Sequence, residues 1–214
     1  MKHILCYGDS NTHGYNPYSK GRYDINERWT GVLQELLGSE YRIIEEGLNS
    51  RTTVLDDPID DYRNGKTFLT PCIKTHYPLD LIIIMLGSND MKSRYNMTAT
   101  EISKGVCKLV EIAQSVTSSK SPDKTPSKIL LVSPIHIGEK MLDKDFGEEF
   151  GCERSYNISR KLAEKYEKVA DSLGVYFMDA SQYAEPCELD GLHMTKEEHK
   201  KLALAFCNKI KEII

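Results

Sequence analysis

The run LIIIMLG at residues 81–87 is apolar at six consecutive positions and stops at a glycine. A strand with one face in water alternates apolar and polar residues. An unbroken apolar run of strand length belongs to a strand covered on both faces. Such a run is far too short to cross a bilayer. It therefore predicts the centre of a parallel sheet with helices in front and behind.

Outward from this run, strand-like segments occur at residues 3–7, 41–45, 128–132 and 175–178, and helical patterns fill the intervals. Residues 28–37 carry Trp29, Val32, Leu33 and Leu36 at helical spacing, and a weaker pattern covers 67–76. Thr98 with Glu101 forms a capping-box signal, followed by the stripe Ile102, Val106, Leu109, Val110 and Ala113. A helix is expected over 155–173, and another from Thr195, capped with Glu198 and bearing Leu202, Ala203, Phe206 and Ile210. The repeated β-α order predicts an α/β fold. We expect a single doubly wound, flavodoxin-like domain over 1–214, with a five-stranded parallel sheet and helices on both faces. The polar segment SVTSSKSPDKTPS at 115–127 reads as a surface loop.

Composition narrows the function. The net charge of −4 gives no electrostatic footprint for nucleic acid, and there is no basic run for an anionic membrane. The six cysteines show no CxxC spacing, and neither HExxH nor an EF-hand pattern occurs, so neither a metal nor a cofactor is expected. The first apolar run is too short for a signal peptide, which leads us to expect a cytoplasmic location and reduced thiols.

The connections after the strand C-termini are long: roughly 11–27, 48–66, 88–97, 135–154 and 179–194. Ligands bind at that edge of such sheets. Four features collect there. The first strand ends at Gly8-Asp9-Ser10, the second at Gly47, the third at Gly87-Ser88-Asn89-Asp90, and the fifth is followed by Asp190-Gly-Leu-His193. Together they supply the parts for acyl transfer. Ser10 is a nucleophile once a base takes its proton, and histidine, here His193, is the residue type whose unperturbed side chain titrates near neutrality. Asp190, one turn of chain away, can hold the imidazole. The N–H groups of Ser10 and Gly47 and the amide of Asn89 can donate to a tetrahedral oxyanion. Gly47 also lets a substrate approach the backbone.

These blocks, in this order, resemble the SGNH (GDSL-type) hydrolase superfamily over essentially the whole chain. The stretches ILCYGDSNTHGY, RWTGVLQELLG, IIEEGLNSRTT and PLDLIIIMLGSND are similar to its arylesterase and acyltransferase branch. The resemblance implies a cofactor-free serine esterase acting on small acyl groups such as acetyl, with acyl transfer to alcohols in some members, and a homo-oligomer. Two positions depart from the pattern: Asn11 where the family commonly has an apolar residue, and His13 where the branch tends to carry an aromatic one. Asn11, His13, Ser88 and His136 are the further candidates for lining a substrate pocket.

Competing assignments follow from the same residues. Ser10 and Asn89 could simply shape turns, and Asp9 reads as a turn former. His13 and His136 are rival bases; Asp90 and Asp179 are rival acids. His3, His76 and His199 read as surface positions. Tyr15, Tyr18 and Tyr23 could shape a substrate entrance or an inter-subunit contact, or pack a loop, and the acidic insert at 138–155 could be a lid, an oligomer contact or a solvated loop. Within hydrolases, a carbohydrate acetylesterase or a lysophospholipase or thioesterase stays open. A non-catalytic ligand-binding module is the reading from another class, weakened because no glycine-rich phosphate loop follows the first strand.

Overall fold

The computed structural model describes residues 1–139, 145–151 and 153–214. Part of the acidic insert (140–144) and Cys152 lie outside the described residues. In chain order the strands are β1 (Lys2–Gly8), the short pair β2 (Tyr15–Asn16) and β3 (Gly21–Arg22), β4 (Tyr41–Gly47), β5 (Leu81–Met85), β6 (Lys128–Ser133) and β7 (Tyr176–Asp179). The helices are α1 (Ser10–His13), α2 (Trp29–Leu37), α3 (Gly65–His76), α4 (Ala99–Lys120), α5 (Asp145–Phe150), α6 (Glu153–Leu173) and α7 (Lys196–Ile213).

The main sheet has the order β4-β1-β5-β6-β7, and every neighbouring pair is parallel. This is the flavodoxin-like arrangement expected, with the run at 81–87 at its centre. Alternate residues of the strands feed two cores. Leu5, Tyr7, Ile82 and Ile84 pack with α3, α4 and α6 on one face. Ile4, Cys6, Leu81, Ile83 and Met85 pack with α2 and α7 on the other. Both faces of β1 and β5 are thus dry, which is why neither strand carries a polar alternation.

The register sets up the site. Gly8 pairs with Gly47 on one side and with Met85 on the other. The loops leaving β1, β4 and β5 therefore start side by side where the strand order reverses, at the topological switch point.

Three local expectations need correction. Residues 115–120 belong to α4, not to a loop. Thr117 is buried and donates to the Ala113 carbonyl at 2.7 Å; Ser118 and Ser119 donate to Ser115 and Val116. The helix's own carbonyls satisfy these hydroxyls, so a polar run can stay helical. Helix α3 starts earlier than its apolar pattern, because the Asn64 side chain accepts from the Lys66 and Thr67 N–H groups. His199 is fully buried, not a surface residue. Its Nδ1 accepts the Trp29 N–H at 3.3 Å, its ring lies edge-on to Tyr23, and burial depresses its pKa to about 3. It occupies the same stripe as Leu202, Ala203 and Phe206. Among the described residues, no helix is long and apolar enough to cross a membrane.

Candidate active site

Ser10 is the first residue of α1, placed where β1 ends. Asp9 caps this turn: its carboxylate accepts the Asn11 N–H at 3.0 Å, and its carbonyl accepts from Thr12 and His13. The Ser10 hydroxyl lies 3.0 Å from His193 Nε2, and His193 Nδ1 lies 2.7 Å from Asp190 Oδ2. With a carboxylate on Nδ1, the imidazole proton belongs there, and Nε2 is left to accept from the serine.

The turn carrying Asp190 and His193 is closed on itself. Cys187 N–H donates to the His193 carbonyl, and Gly191 N–H donates to the Cys187 carbonyl. Asp190 Oδ1 accepts the N–H groups of Leu192 and His193, both at 2.9 Å, and the Cys187 thiol at 3.3 Å. Burial pushes the Asp190 carboxyl up, but the hydrogen bonds from His193 and the backbone outweigh it and hold the group below its ordinary value. Ser10, Asp190 and His193 are all buried.

The loops after β4 and β5 complete the edge. Gly87 has φ +126°, and a Cβ there would sit 2.2 Å from the Tyr166 hydroxyl, so only glycine fits this turn. Asn89 follows, its Nδ2 donating to the Arg51 carbonyl at 3.1 Å. Buried Asp90 accepts the Thr53 N–H and hydroxyl, which ties the two loops together; burial pushes its carboxyl up to about 6. The Arg51 guanidinium donates to the Gly8 carbonyl at 3.0 Å and to that of Glu46, and lies 4.2 Å from the Tyr7 ring centre. Gly47 is needed for a reason the sequence did not reveal. A Cβ there would come within 2.1 Å of the His13 nitrogen, so the close neighbour is the α1 backbone.

A cavity of about 280 Å³ opens over this edge, lined by Ser10, Asn89 and His193 together with Tyr15, Asn49, Ser50, Asp60, Lys92, Phe146, Glu149, Phe150 and Leu192. The Tyr15 ring packs 4.4 Å from the His193 ring, and Phe146 stands edge-on to it. Lys92 is buried, paired with Glu149 at 3.1 Å and within 3.4 Å of the Ser50 hydroxyl. Arg94 bridges Glu149 and Asp57, which links α5 to the loop after β4.

The four expected pocket-lining residues fall elsewhere. Asn11 is buried against the turn bearing His193. His13 lies against Gly47, and burial lowers its pKa. Ser88 is buried just ahead of Asn89 and does not line the cavity. His136 lines a separate cavity with Arg160 and Cys187. The rival acids are occupied too: Asp90 by Thr53, and Asp179 by the Ser133 and Ser181 hydroxyls at 2.9 and 2.8 Å. Of the three tyrosines, Tyr15 lines the cavity, Tyr18 is exposed and Tyr23 packs on His199. Away from this cavity, Glu46, Cys72 and His76 bring donor atoms within 4.8 Å of one another, with His76 Nε2 2.9 Å from Glu46 Oε1.

Residues 6–201 match the model of the GDSL-like lipase/acylhydrolase family. The chain belongs to that family. It is accordingly a carboxylic ester hydrolase. Among solved structures it is similar to Est24, a carbohydrate acetylesterase from Sinorhizobium meliloti, at 37% identity with all of both chains covered and a TM-score of 0.93. It is equally similar to the native aryl esterase of M. smegmatis, at 36% identity, all of both chains covered and a TM-score of 0.93. A GDSL-family lipolytic protein from Veillonella parvula, at 14% identity and a TM-score of 0.70 over 99% of each chain, shares the fold. No curated protein matches the chain.

Proposed function

We propose that this acylhydrolase is a serine esterase for small acyl groups, acetyl foremost, with Ser10 as nucleophile, His193 as general base and Asp190 as its orienting acid. The observation that carries this reading is the continuous hydrogen-bond chain from the Ser10 hydroxyl through both His193 nitrogens to Asp190. Ser10 attacks the ester carbonyl while Nε2 takes its proton. Asp190 stabilises the imidazolium that forms. The negative oxygen of the tetrahedral intermediate is held by the Asn89 amide and the Ser10 N–H, whereas Gly47, expected as a third donor, packs against the α1 backbone and does not line the cavity. His193 then gives its proton to the leaving alcohol. Water, or a second alcohol in acyl transfer, releases the acyl group by the same steps in reverse order.

The size of the cavity supports a short acyl chain. The cavity around Ser10 is about 280 Å³, and the walls nearest the nucleophile include the rings of Tyr15 and Phe146, which narrow it there. Its walls favour a polyhydroxylated alcohol as the second portion: Asn49, Ser50, Asp60 and Glu149 offer hydrogen-bonding groups, and Tyr15, Phe146 and Phe150 offer flat apolar ones. That supports a carbohydrate acetylesterase over a lysophospholipase or thioesterase. The experiment is a series of p-nitrophenyl esters of rising chain length, with acetylated xylosides alongside. We expect kcat/KM to be greatest for acetate and acetate to be released from the sugar esters. A maximum at a long acyl chain would overturn the reading.

A further inference from the structure

Asn11 has every one of its polar groups engaged. Its N–H donates to Asp9 Oδ1 at 3.0 Å, and its carbonyl accepts the Trp29 indole N–H at 3.1 Å. Its side-chain Nδ2 donates to the Leu192 carbonyl at 3.1 Å, while Oδ1 accepts the Met194 N–H at 3.2 Å. The amide orientation is fixed by these partners, since the flipped form would set N–H against N–H and carbonyl against carbonyl. Leu192 and Met194 are the two neighbours of His193. One buried side chain next to Ser10 in sequence therefore grips the base-bearing turn on both sides of the base.

We infer that Asn11 is a positioning residue that fixes the distance between the Ser10 hydroxyl and His193 Nε2. The inference rests on the roles proposed above for Ser10 and His193. Three hydrogen bonds already tie His193 to its own turn, two to Asp190 and one to Cys187, but those contacts are local to residues 187–193. They shape the turn and cannot place it relative to α1. The Asn11 side chain joins the turn directly to the residue that follows the nucleophile. It is also well shaped for the task. Its amide presents a donor and an acceptor side by side, which matches a backbone carbonyl and N–H two residues apart. A leucine in its place would fill similar space and offer neither bond. Because Asn11 does not line the cavity, its loss should act on the chemical step and spare binding.

The test is steady-state kinetics of p-nitrophenyl acetate hydrolysis by Asn11→Leu and Asn11→Asp, with the proton spectrum of the His193 ring recorded for each. In Asn11→Leu we expect kcat to fall by up to about 100-fold, the effect of a small misplacement of reacting groups, with KM unchanged. The downfield signal of the proton between His193 Nδ1 and Asp190 should broaden or move. Asn11→Asp keeps the acceptor for Met194 N–H and loses the donor to Leu192, so its kcat should lie below that of the parent and its KM should stay the same. Unaltered kcat in both variants, or a raised KM with kcat kept, would overturn the inference in favour of a packing or substrate-contacting residue. Should Asn11→Leu fail to fold, the kcat and KM of Asn11→Asp decide alone. Ser10→Ala is assayed in parallel: full turnover there would defeat the proposed mechanism itself, whereas loss there with full turnover in the Asn11 variants would defeat only the positioning role.

Discussion

His193 Nε2 lies 3.0 Å from the Ser10 hydroxyl although 183 residues separate them in the chain. In the proposed mechanism Asp190, 2.7 Å from the other ring nitrogen, orients His193 for that contact. Asp190→Asn retains an oxygen for the Leu192 and His193 N–H groups but can present an N–H to His193 Nδ1, which favours the wrong tautomer. We expect kcat for p-nitrophenyl acetate to drop by about 10⁴. Thermal melting should stay close to the parent's. Activity within a few-fold of the parent would leave Asp190 a structural residue only.

Asn89 lines the cavity, and its Nδ2 donates to the Arg51 carbonyl. For Asn89→Ala we expect kcat to fall by about 10²–10³ and KM to hold, the pattern of a donor used only in the transition state. An increase in KM at constant kcat would move Asn89 from oxyanion donor to substrate contact.

Gly47 tests how α1 is seated. A methyl group there meets the His13 nitrogen at 2.1 Å, and that nitrogen is already bonded to the Asp9 carbonyl. Gly47→Ala must shift the turn that carries Ser10, and overpacking of this kind costs about 1–3 kcal/mol or more. The expected outcome is a lower midpoint in urea together with a loss of kcat. A variant as stable and as active as the parent would contradict the seating described.

Asp9 gives a pH signature. Burial pushes its carboxyl up to about 6 from an ordinary 3.8, outweighing the hydrogen bonds from Asn11 and Ser88 that pull the other way. Between those two values the folded chain keeps a proton that the unfolded chain releases. Stability contributed by this group therefore falls as pH rises from about 4 to about 6, by on the order of 3 kcal/mol. Asp9→Asn keeps an acceptor for the Asn11 N–H and removes the charge. It should be more stable than the parent above pH ~6 and lose that advantage below pH ~4. Urea melts across this range check it; an advantage that does not vary with pH would contradict the assignment.

The fold could be read from the chain because its central strands are buried on both faces. The continuous apolar run at 81–87 and the alternating helical stripes leave few other architectures. Ser10 and Asn89 were legible because each stands just past the end of a strand-like run, and Asp190 and His193 because they lie in the long connection after the last strand; the sheet gathers these connections at one edge. What stayed hidden depends on contacts between loops. Nothing local distinguishes Lys92, Phe146 or Glu149 as walls of the cavity, since they meet only after folding. Asn11 looked like a pocket residue because it follows Ser10, yet the α1 turn directs its amide to Leu192 and Met194. His199 lay on the apolar stripe of α7, where its polar ring disguised a core position. Thr117 and its serine neighbours read as loop because their bonds to helix carbonyls leave no mark on periodicity.

The most direct test of the central claim is covalent trapping with a p-nitrophenyl phosphonate ester, followed by intact-mass measurement and peptide mapping. We predict a single adduct per chain, on Ser10, formed in step with the loss of ester hydrolysis and absent in Ser10→Ala. Hydrolysis that persists with Ser10 fully labelled, or inactivation with the adduct on a different residue, would contradict the account.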